Sequence, residues 1–224
     1  MFKAIIFDYN GVLINDLDVH EGAYIKVAKE FGLSLSREVF RKYFSASPEQ
    51  KRVLFFGEIP DETWNRLFQV KTEYYFELAK ERNLLFSEVR EVLVSLSKKY
   101  LLGLVTNTPR IYFERIFPSD LSPLFREMIF SDEAMKPKPS PEPLLEMMRR
   151  MGITADQCCY VGDSISDVTM AKQAGVRIFV VTTGDGSREE LQGAEPDGIL
   201  NSLSELEEEL QANLSVGRGP RSRR

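Results

Sequence analysis

Phe2-Lys3-Ala4-Ile5-Ile6-Phe7-Asp8-Tyr9-Asn10-Gly11-Val12 sets a strand-length apolar run directly against an acid and a turn. Four further runs of this kind follow, at Leu101–Val105, Met128–Phe130, Cys158–Val161 and Val176–Val181. Helix-like segments separate them. Ser87 precedes Val89, Val92, Leu93 and Leu96 at helical spacing, and Ser140-Pro141 precedes Leu144, Met147, Met148 and Met151. Ser164 with Asp167 forms a capping-box pattern for a helix that stops at Gly175, and Ser202 with Glu205 repeats the pattern before Leu203, Leu206, Leu210 and Leu214. Strands alternating with helices predict an α/β fold: a Rossmann-like, three-layer core with a parallel sheet covered on both faces.

The interval between the first two strands is too long for a simple crossover. It reads as helical, with Tyr24, Val27, Ala28 and Phe31 on one stripe and Trp64, Leu67, Phe68, Tyr74, Tyr75 and Leu78 on another, punctuated by Gly57 and Pro60. The expectation is a core of residues 1–14 and 84–214, a small inserted helical-bundle cap domain over 15–83, and a disordered basic tail at 215–224. Ligands bind open parallel sheets at the carboxyl ends of the strands, so the insert is positioned as a lid.

Composition narrows the function classes. At 224 residues, 43% hydrophobic and 28% charged, the chain is an ordinary folded one, and no apolar run reaches the roughly 18–20 residues of a membrane span. The net charge is −5, and four arginines in the last ten residues leave −9 on the rest, which argues against nucleic acid as a partner. With no small-residue cleavage site after the first apolar stretch, a cytoplasmic monomer or homodimer is expected, with no membrane partner. Cys158 and Cys159 are adjacent, poor geometry for a loop-closing disulfide, and read as thiols packed in a strand.

The strand ends carry the chemistry. Asp8, Thr106 with Asn107, Lys138 and Asp163 fall after four of the predicted strands. Asp8 and Asp163 are hard oxygen ligands suited to Mg²⁺, Thr106 and Lys138 suit phosphoryl oxygens, and Asp8 can attack phosphorus to form an aspartyl-phosphate. In the insert, His20, Ser47, Lys51 and Arg52 are expected to meet the rest of a small phosphorylated substrate, although Lys51-Arg52 also suits a solvated helix face.

Asp8-x-Asn10-Gly11-Val12, then Thr106, then Lys138-Pro139, then Gly162-Asp163-Ser164-x-x-Asp167 together resemble the haloacid dehalogenase-like hydrolases, over nearly the whole chain. The helical insert and the lone His20 are similar to the phosphoglycolate phosphatase and β-phosphoglucomutase-like members. The resemblance implies Asp8 as nucleophile and metal ligand, the backbone carbonyl of Asn10 and the Asp163 carboxylate as further Mg²⁺ ligands, and Asp167 near the metal. It also implies that Thr106 binds phosphate and that Lys138 pairs with both Asp8 and the phosphate, with Gly11 and Asn107 expected at the substrate; Lys138 is preferred to Lys136 because Pro-x-Pro-Glu follows it.

Position 10 departs from the pattern. The family's phosphatases usually place there a second aspartate, which protonates the leaving oxygen and later activates water. An asparagine exchanges no proton at neutral pH, and general acid–base help is worth roughly 10²–10⁴-fold, about 3–5 kcal/mol of barrier. Three consequences stand open: substrates with good leaving groups, substitution by His20, or a silent protein that binds a phosphorylated ligand. A Mg²⁺-dependent phosphohydrolase is the expected function, with a sugar-phosphate mutase as the catalytic alternative.

Overall fold

In the computed structural model, residues 2–44, 46–133 and 135–215 are described. The tail expected at 215–224 lies outside them except for Ser215, which closes the last helix. Six parallel strands form one sheet in the order β3-β2-β1-β4-β5-β6: β1 Ala4–Phe7, β2 Leu101–Val105, β3 Phe125–Ile129, β4 Cys158–Gly162, β5 Arg177–Val181 and β6 Gly198–Leu200. The strands are near-continuously apolar because both faces are covered. Ile5, Phe7, Cys159 and Val161 face one layer, where helices α5 (Val89–Ser97), α6 (Arg110–Ile116) and α10 (Leu206–Ser215) contribute Leu93, Leu96, Tyr112, Phe113 and Leu210. Ala4, Ile6, Cys158 and Tyr160 face the other, against Leu144 and Met147 of α7 (Glu142–Met151), Val168 and Ala171 of α8 (Ile165–Ala174) and Leu191 of α9 (Arg188–Gly193). The three-layer α/β architecture read from the sequence is the one found. Burial pushes the Cys158 thiol up to about 12 and raises Cys159 as well, so neither is a ready thiolate.

Between β1 and α5 the chain is helical: α1 Leu17–Glu30, α2 Arg37–Lys42, α3 Pro48–Phe56 and α4 Asp61–Ala79. These helices bury an aromatic core of their own, with Tyr24, Phe40, Phe44, Phe55, Trp64 and Leu67. Gly57 ends α3 with φ of 69° and Pro60 sits before α4, which is the punctuation expected. Leu78, placed on the apolar stripe, is instead 39% exposed. No helix among the described residues is long and apolar enough to cross a membrane.

Local details differ from the sequence reading where a short polar interruption or a rival partner decides. β1 begins at Ala4 rather than Phe2, and β3 runs Phe125–Ile129, since Arg126 and Glu127 hide a strand inside a polar stretch. β6 adds a strand beyond the five expected, its three residues being too few to carry a periodicity. Ser87 does not cap α5; its hydroxyl bonds Glu88. Ser202 does not form a box with Glu205, because Glu205 bonds the backbone and side chain of Asn201 and a short 3₁₀ turn precedes α10. Leu203, Leu206 and Leu210 are buried as expected, while the side chain of Leu214 lies outside the described ones. The Ser164–Asp167 box and the stop at Gly175 form as read.

Candidate active site

Asp8 follows β1 directly, with its Oδ1 accepting the Tyr9 N–H at 2.7 Å. The turn beyond it needs a glycine: Gly11 has φ of 74°, and a Cβ there would stand 2.3 Å from Asp163 Oδ2. Asp163, at the end of β4, accepts the backbone N–H of Asp185 at 2.8 Å. Asp167 on the first turn of α8 takes the Ser164 hydroxyl at 2.6 Å and the N–H groups of Ser164 and Asp163 at 3.1 and 3.2 Å, all on Oδ2. Its other oxygen takes Lys138 Nζ at 2.7 Å, and the same ammonium reaches Asp8 Oδ2 at 2.6 Å. Lys138 is thus buried between two carboxylates, whereas Lys136 is exposed and pairs with Glu142. Asn107 holds the Lys138 backbone in a two-bond clasp, its Oδ1 accepting the Lys138 N–H at 2.9 Å and its Nδ2 donating to the Lys138 carbonyl at 3.2 Å. Thr106 is buried beside it.

Oxygen atoms of Asp8, Asp163 and Asp167 all lie within 4.8 Å of one another. Three buried carboxylates against one ammonium leave an excess of negative charge that low dielectric makes costly. Burial pushes Asp8 up to about 6 although Lys138 pulls the other way, and burial together with Asp167 and Asp8 holds Asp163 well above the usual carboxylate range. For Lys138, burial works against the charge, but Asp167 and Asp8 together outweigh it and raise its affinity for the proton. A hard dication fits this donor set. The sign of its pH dependence follows: Asp8 must give up a proton retained up to about pH 6, so the thermal upshift produced by Mg²⁺ grows from about pH 5 to about pH 7.5. Differential scanning fluorimetry at the two pH values checks this; an upshift equal at both, or none, contradicts it.

Asn10 does not point its amide at a reacting group. Its Nδ2 donates to both oxygens of Asp16, at 2.9 and 2.8 Å, and its Oδ1 accepts the Thr108 hydroxyl. Asp16 is 1% exposed and also takes Tyr75 OH at 2.7 Å and His20 Nε2 at 3.2 Å. Burial alone would raise its pKa, yet His20, Asn10 and Tyr75 together hold it below the ordinary value. His20 Nδ1 lies 2.7 Å from Lys71 Nζ. Burial, and then the Lys71 charge, push His20 down to about 4 despite Asp16, so the ring is neutral near pH 7.

One pocket joins these groups. Asp8, Asn10, Thr106, Asn107, Lys138 and Asp163 form its floor, and His20, Lys51 and Lys71 belong to its helical wall. Three residues expected at the substrate do not line it: Gly11, which makes the turn packed against Asp163, and two whose side chains are used elsewhere. Ser47 caps α3, its hydroxyl accepting the Gln50 N–H while Gln50 returns a bond to the Ser47 N–H. Arg52 turns outward to Asp61 and the Ile59 carbonyl. Asp16, Lys71, Thr108 and Tyr112 were not singled out in the sequence. Lys71 left a signal, since it interrupts the buried stripe of Leu67 and Tyr75 at a spacing of four.

Residues 5–181 match the sequence model of the haloacid dehalogenase-like hydrolases, and the chain belongs to that family. It is 35% identical over 176 residues to the phosphoglycolate phosphatase of Salmonella typhi, covering 77% of this chain and 68% of that protein. Across such relatives the match spans 60–68% of their length. In fold it is similar to the β-phosphoglucomutase of Clostridium difficile, with a TM-score of 0.83 at 20% identity over 97% of this chain and 100% of that one. CbbY from Rhodobacter sphaeroides, solved in complex with phosphate, gives 0.78 at 22% identity over 92% and 96%.

Proposed function

We propose that the protein is a Mg²⁺-dependent phosphohydrolase of the cytoplasm, acting on a small phosphorylated metabolite through Asp8, with helices α1 to α4 as the cap. The observation that carries this reading is the Lys138 ammonium held between Asp8 and Asp167 beside Asp163, at the bottom of a pocket that Thr106 also lines. Asp8 presents a carboxylate oxygen to phosphorus, the ester bond to the leaving oxygen breaks, and the phosphoryl group passes to Asp8; water then attacks the same phosphorus and frees Asp8. Lys138 neutralises charge on the nucleophile and the phosphoryl oxygens, Asp167 fixes Lys138, and Thr106 donates to the phosphoryl group. Mg²⁺ held by Asp8, Asp163 and the Asn10 carbonyl would neutralise phosphoryl charge. The phosphoglycolate phosphatases among the relatives support a small phosphate ester as substrate.

Hydrolysis of p-nitrophenyl phosphate and acetyl phosphate, with Mg²⁺ and with a chelator, tests the reading. Turnover that requires Mg²⁺ is expected. Failure to hydrolyse either compound, with inorganic phosphate still binding, would favour the silent phospholigand-binding protein.

A further inference from the structure

Resting on that reading of Asp8, we propose that Lys71 exchanges the proton at the leaving oxygen, the task that Asn10 cannot perform. Position 10 supplies no proton to a leaving oxygen. Its amide is committed to both oxygens of Asp16, and its carbonyl oxygen to Thr108. His20, the obvious substitute, has its ring nitrogens turned to Asp16 and Lys71.

Lys71 lies on the same pocket as Asp8 and is 2% exposed. No carboxylate contacts it among the described residues. It is held instead by His20 Nδ1 at 2.7 Å and Tyr112 OH at 3.1 Å, among the rings of Tyr24, Tyr112, Tyr75 and Phe68. An ammonium has three protons, so two named partners leave one for the pocket. The charged groups around it are Lys51, which disfavours its charge, and Asp16, which favours it from behind His20. Burial outweighs Asp16 and brings the ammonium well below its ordinary range, the direction that suits a group which must both give and take a proton near neutrality.

The steps balance. As Asp8 takes the phosphoryl group and the P–O bond to the leaving group breaks, the Lys71 ammonium gives its proton to the departing oxygen and becomes an amine. When water attacks phospho-Asp8, the amine accepts the water proton and the ammonium is restored.

Leaving-group dependence separates this role from a structural one. Acetate departs without a proton, whereas an alkoxide needs one. In single-turnover assays of the Mg²⁺-loaded enzyme that read release of ethanol or acetate, the step before phospho-Asp8 hydrolysis, Lys71→Met is expected to slow ethyl phosphate by about 10²-fold or more and acetyl phosphate by under about five-fold. Lys71→Arg keeps the charge but releases no proton, so it should not restore ethyl phosphate turnover. The wild-type rate on ethyl phosphate should fall at high pH along a limb that Lys71→Met lacks. Equal losses on both substrates, rescue by arginine, or a wild type that turns over acetyl phosphate and no alkyl ester overturns the proposal. Hydrolysis that persists in Asp8→Ala would overturn the underlying reading instead.

Discussion

Lys138→Met is expected to be unstable and nearly inactive at neutral pH, and much less unstable in mild acid. Lys138 is 3% exposed and is shared by Asp8 and Asp167, which lie near Asp163. Removing one partner of a buried ion pair typically costs about 3–5 kcal/mol, because the remaining charges stay buried and uncompensated. The sign with pH follows from the carboxylates. Asp8 already holds its proton up to about 6, above the ordinary 3.8, and without the ammonium its pKa rises further. A group whose folded pKa is raised contributes stability at low pH and loses it as pH rises through the folded value. The penalty in Lys138→Met should therefore be largest above about pH 7 and shrink toward about pH 5, read by urea denaturation at both. Turnover should drop by roughly 10²–10³-fold as the cation at the phosphoryl oxygens is lost. A variant as stable as wild type at neutral pH would show that the three carboxylates do not depend on Lys138.

Asn10→Asp, made alone, should destabilise the protein instead of simply restoring an acid. A carboxylate at position 10 would meet that of Asp16, now 2.8 to 2.9 Å from the Asn10 amide nitrogen. Two buried carboxylates at that distance share a proton, and one of the pair is forced to a high pKa. Displacements of one to three pKa units correspond to about 1–4 kcal/mol. By the same sign argument the loss appears as pH rises above about 5 and is small below about 4. Adding Asp16→Ser should return most of the stability at neutral pH, a coupling that a double-mutant cycle measures directly. If Asn10→Asp unfolds at the same urea concentration as wild type at neutral pH, Asn10 and Asp16 are not coupled in this way.

What could be read in the sequence was local or periodic. Asp163, Ser164 and Asp167 lie within five positions and form one helix start, so their pattern is legible without the fold, and Asp8 stands where an apolar run ends. The parallel sheet followed from the alternation of such runs with helices. The Asp16–His20–Lys71 chain was not legible, since Lys71 meets His20 across 51 positions and Tyr75 meets Asp16 across 59. Only the packing of α4 against α1 creates those contacts. Ser47 and Arg52 show the converse: residue type suggested a ligand contact, while a helix cap and an exposed ion pair claimed the side chains. Asn107 lines the pocket, and its amide also holds the backbone that carries Lys138, a contact the sequence does not show.

The most direct test of the account is to find the covalent intermediate. The protein is mixed with Mg²⁺ and acetyl phosphate, quenched in acid within seconds, digested and examined by mass spectrometry. A phosphoryl group on the peptide that contains Asp8, absent in Asp8→Ala, is the predicted result. Steady turnover with no phosphoryl group on Asp8, or with Asp8→Ala fully active, would contradict it.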